Sequence, residues 1–86
     1  MKVVVIFKDN TDHAREVTDY LRDFKSRTGK DLQTLDPETR DGVDFCRTYD
    51  IMQFPTLVAL SDEGLMQTMW VGSPLPTISE VSYYVQ

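Results

Sequence analysis

Two nearly uninterrupted apolar runs, at residues 2–7 and 56–60, most constrain what this chain can fold into. Both are rich in residues that favour strands, and β-branched valines dominate the first. A strand without polar alternation is expected at the centre of a sheet that is covered on both faces. Pro55 directly precedes the second run, although proline has no N–H to give to a sheet and is confined to special strand positions. The sequence therefore predicts two central strands, the second of which begins at an unusual turn.

The stretch that follows the first run is predicted to be a helix over residues 12–27. Its apolar side chains recur at the spacing of one helical face, at Ala14, Val17, Leu21 and Phe24. Thr11 and Asp12 are residue types that cap a helix N-terminus, and Gly29 suits the left-handed residue that ends one.

Two further helices and two further strands are predicted. A second helix begins at Asp36-Pro37, with the aspartate as cap and the proline at the first helical position. Its inward face is expected to carry Val43, Cys46 and Tyr49. A last helix opens at residues 75–77 with Ile78, Val81 and Val85 inward. Residues 31–35 and 65–71 are predicted strands, and the turn at residues 61–64 pairs the latter with the second apolar run.

The predicted order is therefore strand, helix, strand, helix, strand, strand, helix. A right-handed crossover makes the first two strands parallel, whereas a four-residue turn makes the last two antiparallel. The expected fold class is α/β, with a βαβ-α-ββα order, a four-stranded mixed sheet and helices on both faces. No linker, repeat or low-complexity stretch divides the 86 residues, so one domain over residues 1–86 is expected.

This order resembles the thioredoxin fold in its minimal, glutaredoxin-sized form. The likeness covers nearly the whole chain and depends on an ordered series of short matches: Leu35-Asp36, Tyr49-Asp50-Ile51, Phe54-Pro55-Thr56-Leu57, Glu63-Gly64, Val71-Gly72 and Leu75-Pro76. The resemblance implies that the Phe54–Pro55 peptide bond is cis, which X–Pro bonds permit at low cost. It also implies that the backbone before Pro55 faces outward, where it can pair with an extended peptide.

The chemistry that goes with this fold is missing from the sequence. Redox enzymes of the family carry Cys-x-x-Cys where the first loop meets the first helix, and the matching stretch here is Thr11-Asp12-His13-Ala14. A threonine hydroxyl cannot perform reversible sulfur chemistry, so dithiol–disulfide exchange at this position is excluded. We expect no catalytic residue, no metal site and no cofactor. The glutathione-binding pattern of glutaredoxins is also poorly matched, since Gln53-Phe54 precedes the proline and Gly72-Ser73-Pro74 follows the hairpin.

Composition and charge limit which classes of partner and which cellular location are expected. The net charge is −5 and the nine basic residues are scattered, which disfavours nucleic acid and anionic membranes. No apolar run has the length of a membrane span. The only cysteine is Cys46, so an internal disulfide and a multi-cysteine zinc site are excluded. A cytoplasmic protein, either monomeric or weakly dimeric, is expected.

Several residues invite alternative interpretations. Cys46 is interpreted as an inert thiol on the second helix, and His13 as a solvated side chain beside the helix cap. Trp70 is interpreted as core, although an exposed Trp–Met surface would instead indicate a partner site; Tyr83 and Tyr84 fit either role. A set of acidic residues is interpreted as a solvated face: Asp31, Asp36, Glu38, Asp41 and Asp44.

The sequence thus favours a redox-inactive domain that binds a protein or an extended peptide, or serves as a structural module. The docking surface that the resemblance implies comprises three segments: Thr11, Asp12, His13 and Ala14; Phe54 and Pro55; and Val71, Gly72 and Ser73. One alternative is a weak thiol–disulfide oxidoreductase, resembling glutaredoxins in cell redox homeostasis and using Cys46 or an external thiol. Another is an oligomerising module with Trp70 at a dimer interface.

Overall fold

A computed structural model describes residues 1–85. Its elements are β1 (Lys2–Ile6), α1 (Ala14–Thr28), β2 (Gln33–Leu35), α2 (Arg40–Tyr49), β3 (Thr56–Leu60), β4 (Met66–Val71) and α3 (Ile78–Ser82). The strands form one four-stranded sheet in the order β2-β1-β3-β4. β1 and β2 are parallel, whereas β3 is antiparallel to both β1 and β4. The predicted α/β class and mixed sheet are confirmed.

The central strands β1 and β3 are buried on both faces, which explains their uninterrupted apolar character. On one face, alternate residues of these strands pack with Val17 and Phe24 of α1 and with Val81 of α3. On the other face, the intervening residues pack with Ile51 and with partly buried side chains of α2. The sheet is therefore covered by α1 and α3 on one face and by α2 on the other.

Helix α1 begins at Ala14, two residues later than the start predicted at residue 12. His13 is the residue at its N-cap, and no side chain caps the helix. The prediction that Thr11 or Asp12 caps α1 is wrong, because the Thr11 hydroxyl instead donates to the Lys8 carbonyl oxygen at 2.7 Å. The other end is as the sequence indicated: Gly29 ends α1 with φ 74° and donates its N–H to the Lys25 carbonyl.

Helix α2 begins at Arg40, so the prediction that it starts at Asp36-Pro37 is wrong. The Asp36 carboxylate accepts the Glu38 N–H at 2.8 Å and so closes a separate turn ahead of the helix. Thr39 is the actual cap, and its hydroxyl oxygen accepts the Gly42 N–H at 3.1 Å.

The inward face of α2 also differs from the prediction. Val43 is 41% exposed, whereas Phe45, Cys46 and Tyr49 pack against the α2-side core. Gly42 is buried and determines which face of α2 points inward, because the helix approaches the Asp36–Pro37 backbone at this residue too closely for any side chain. The buried face therefore follows the spacing of residues 42, 45, 46 and 49.

Two strands are shorter than predicted, and the last helix is well capped. β2 covers only Gln33–Leu35 of the predicted 31–35, and β4 begins at Met66. Thr77 and Glu80 form a reciprocal capping box at the start of α3. The inward placement of Ile78, Val81 and Val85 is confirmed, but α3 ends at Ser82, so Val85 packs on the core from beyond the helix. Within residues 1–85, no helix combines the length and the apolar character needed to cross a bilayer.

Candidate functional site

The loop that leads into β3 is held from several directions. The Phe54–Pro55 bond is cis, and Pro55 is fully buried. The Pro55 carbonyl oxygen accepts the Gly72 N–H at 2.8 Å. The Thr56 hydroxyl donates to the Gln53 carbonyl oxygen at 2.6 Å. Both bonds fix the backbone on either side of Phe54.

Phe54 itself keeps its backbone groups free. In the part of the chain that the structure describes, residues 1–85, neither the N–H nor the carbonyl oxygen of Phe54 has a hydrogen-bonding partner. Its half-buried ring packs on the α2-side core. An amide and a carbonyl that are held in place and unpaired can accept the backbone of an incoming extended chain.

The segment after β4 lies beside this loop and is tied to α1. Val71 is 52% exposed, and Gly72 adopts φ 74°, a backbone conformation that favours glycine. The Ser73 hydroxyl donates to Glu16 of α1 at 2.7 Å. The Ser73–Pro74 bond is also cis. Val71, Gly72 and Ser73 therefore form one wall at the end of the sheet where β3 begins.

The segment before α1 forms a closed hydrogen-bond network. The Lys8 N–H donates to Nε2 of His13 at 3.3 Å. Oγ1 of Thr11 lies 3.1 Å from Nδ1 and 3.0 Å from Nε2 of the ring, and the Thr11 hydroxyl donates to the Lys8 carbonyl oxygen. His13 is thus half-buried and hydrogen-bonded rather than solvated, which corrects the interpretation from the sequence.

Two of the three segments expected to form a docking surface are joined by a hydrogen bond, and the third is connected to them through Lys8. The Lys8 ammonium lies 5.4 Å from the centre of the Phe54 ring, and the backbone of Lys8 is hydrogen-bonded to the side chains of Thr11 and His13. The bond from Gly72 to Pro55 joins that loop to the segment after β4. We call the combined surface of Thr11–Ala14, Phe54–Pro55 and Val71–Ser73 the proline-end surface.

A cavity of about 180 Å³ opens next to the proline-end surface, on the α2 side of the sheet. It is lined by Asp50, Ile51, Met52, Gln53, Thr56, Met69 and Val71. Most of its wall is apolar, and Met52 is 81% exposed. The sequence did not reveal this cavity; the only available signal was that Met69 and Val71 share one face of β4.

Cys46 does not belong to the proline-end surface. It lies in the middle of α2 and packs, half-buried, against the α2-side core. Burial raises the pKa of its thiol, so less of the reactive thiolate exists at neutral pH than for a free cysteine. These features fit an inert thiol.

The other residues singled out from the sequence lie outside the proline-end surface. Trp70 is half-buried on the α1 side of the sheet, with its ring 5.5 Å from that of Tyr84 in an edge contact. Tyr83 is 65% exposed. Of the acidic set, Asp36 is half-buried and the others are exposed. Among residues 1–85 no three His, Cys, Asp or Glu side chains lie where they could hold a metal ion.

Comparison with solved structures supports the fold. The chain is similar to thioredoxin 1 from the thermophilic eubacterium Thermosipho africanus, with a TM-score of 0.67 over 98% of this chain and 89% of that one. The fold is thioredoxin-like. Sequence identity is only 15%, so the similarity extends to architecture alone. No protein-family model matches the sequence, and no curated protein matches it.

The thioredoxin-like fold is present without the residues for dithiol chemistry. The chain has one cysteine, which makes a Cys-x-x-Cys motif impossible. The junction of the first loop with α1 carries a hydroxyl, a carboxylate, an imidazole and a methyl group instead, from Thr11 to Ala14.

Proposed function

We propose that this chain is a redox-inactive thioredoxin-like domain that binds an extended segment of a protein or peptide at the proline-end surface. The observation that carries the proposal is the backbone of Phe54, whose N–H and carbonyl are unpaired within residues 1–85. Its neighbours Gln53 and Pro55 are both held by hydrogen bonds. An extended segment can pair with such a fixed backbone, as a strand does at a sheet edge.

The walls of the surface suit recognition more than catalysis. Val71 offers exposed apolar area on one side, and the half-buried Phe54 ring offers more. The Thr11 hydroxyl lies beside the His13 ring but donates its proton to the Lys8 carbonyl oxygen instead, whereas an activated nucleophile gives its proton to the base. Binding without a covalent intermediate depends on these contacts alone, so we expect modest affinity.

The test is selection from a random heptapeptide display library, followed by measurement of affinity for the selected peptides in solution. Phe54→Asp and Val71→Asp should each weaken binding strongly, because each places a carboxylate where the peptide backbone or an apolar side chain would lie. Val43→Asp is the matched control, since Val43 is similarly exposed but lies on α2, outside the proline-end surface.

Two variants keep the test decisive. Phe54 packs on the core, so Phe54→Asp could lose binding by losing stability; Val71 is half-exposed, and its replacement should leave the circular dichroism spectrum unchanged. If the selected peptides bind wild type, Val71→Asp and Phe54→Asp equally well, the proline-end surface is not the binding site.

A further inference from the structure

We infer that the cavity beside the proline-end surface takes the side chain of a lysine or arginine from the bound segment. This inference rests on the proposed function, because it specifies the segment that would bind there. It combines three features of the cavity: its position next to Phe54, its apolar wall and its single charge.

The position of the cavity places it within reach of a segment paired with Phe54. Its wall includes Gln53 and Thr56, which flank the Phe54–Pro55 pair, and Val71 of the facing strand. Side chains of an extended segment alternate between two sides. A segment whose backbone pairs with Phe54 therefore directs alternate side chains towards this wall.

The shape and chemistry of the wall fit a long, flexible side chain. A volume of about 180 Å³ accommodates a side chain rather than a whole ligand. Ile51, Met52 and Met69 supply an apolar wall, and methionines adapt their shape to what lies against them. The aliphatic part of a lysine or arginine packs on such a wall while its charged end stays in water.

The charge decides in favour of a basic side chain. Asp50 is the only charged residue that lines the cavity, and within residues 1–85 it forms no ion pair. The stretch from residue 65 to residue 72, which contains the β4 wall, carries no charged side chain, and the chain as a whole has a net charge of −5. A basic side chain complements this environment, whereas an acidic one is repelled.

A second copy of this chain fits the cavity less well. Two copies with a net charge of −5 each repel one another. A basic segment from a different protein satisfies both the apolar wall and the Asp50 carboxylate.

The experiment repeats the heptapeptide selection with wild type, Asp50→Asn and Asp44→Asn. Asparagine is well suited to position 50, because residue 50 has φ 57° and asparagine adopts this left-handed conformation more readily than most residues. Asp44 is an exposed aspartate on α2 that does not line the cavity, so Asp44→Asn makes the same change in net charge elsewhere.

The expected result is a selected consensus with lysine or arginine at one position for wild type and for Asp44→Asn, and no such preference for Asp50→Asn. A synthetic peptide of that consensus should bind Asp50→Asn about 2- to 5-fold more weakly than wild type, the range for an exposed ion pair. Replacing its basic residue with norleucine should give a similar loss on wild type and no loss on Asp50→Asn.

Three other results would overturn the inference. Peptides that depend on Phe54 and Val71 but show no basic preference would remove the basic side chain and leave the proposed function standing. A failure to select any peptide would remove both. If light scattering shows a dimer that Val71→Asp dissociates, while no peptide is selected, the cavity belongs to a contact with a second copy.

Discussion

Replacing Gly42 with alanine tests how α2 is seated on the sheet. Gly42 lies in the first turns of α2 and is buried, and its N–H is bonded to the Thr39 cap. On helix propensity alone, alanine would stabilise this position by about 1 kcal/mol. The structure predicts the opposite sign.

The steric cost decides the sign. A Cβ at position 42 would overlap the Asp36 carbonyl oxygen and would lie 2.7 Å from the Asp36 carbonyl carbon and 2.9 Å from Cα of Pro37. These atoms are backbone, and Pro37 is buried, so they cannot turn aside as a flexible side chain could. Overpacking of a tight site costs about 1–3 kcal/mol, and occasionally more. With overlap this severe we take the upper end, about 3 kcal/mol, so that the net loss is about 2 kcal/mol.

The assay is chemical denaturation followed by circular dichroism, together with thermal melting. A loss of about 2 kcal/mol in a domain of this size lowers Tm by roughly 8–16 °C. Gly29→Ala is the comparison variant: a Cβ there meets no atom within 4 Å, but the backbone has φ 74°, so only the conformational cost of about 1–2 kcal/mol applies. A Gly42→Ala protein as stable as wild type would show that α2 does not approach the Asp36–Pro37 backbone as described.

Three further measurements test local features of the structure. Thr39→Ala should lose about 1 kcal/mol of unfolding free energy through loss of the α2 cap, and Thr39→Ser should recover most of it; equal stability of all three proteins would refute the cap. Burial, with a smaller effect of the Glu80 carboxylate, raises the pKa of Tyr20 to about 12, so an absorbance titration should show a late tyrosine step near pH 12 that moves to lower pH in Glu80→Gln. Since this pKa is above the usual value of 10.0, its contribution to stability is full below pH 10 and is lost as the pH rises towards 12; loss of the late step in Tyr20→Phe is the check. Cys46 should react with a thiol reagent more slowly than a cysteine in a short peptide, and wild type and Cys46→Ser should both show no disulfide reduction above background; a difference between them would restore the thiol-enzyme alternative.

The sequence predicted the elements whose character is set locally or by complete burial. β1 and β3 were recognised because both of their faces are covered, so no polar residue interrupts them. The left-handed end of α1 was recognised because Gly29 tolerates φ 74°. Such features can be predicted because burial and backbone conformation determine which residue types are tolerated at these positions.

Helix starts were missed because several local bonds compete for the same groups. Asp36 has the right chemistry for a cap, but its carboxylate accepts the N–H of Glu38, two residues before the helix begins at Arg40. Thr11 has the same ability and bonds backwards to Lys8. Single residue types do not show which of these bonds forms, because that depends on where the neighbouring turn is held.

For a similar reason, the sequence predicts the loop before β3 but not the cavity beside it. Pro55 indicates an unusual turn before β3, because a proline is uncommon at the start of an apolar strand. The cavity arises only when the loop after α2 brings Met52 to Met69, far away in the sequence, and neither methionine is unusual on its own. Asp50 likewise cannot be singled out from the sequence, because only the structure shows that it is the one charged residue in the cavity wall.

The two halves of the proline-end surface differ in what they leave available. At the start of α1 the side chains of Thr11 and His13 are used internally, because both bond to Lys8, and no side chain caps the helix. A helix start without a side-chain cap can stabilise an anion such as a thiolate, so the lack of dithiol chemistry at this junction follows from its lack of sulfur. At Phe54 the backbone is fixed by its neighbours while its own N–H and carbonyl are unpaired. The proposed binding uses the unpaired backbone of Phe54, so it needs no sulfur atom at the start of α1.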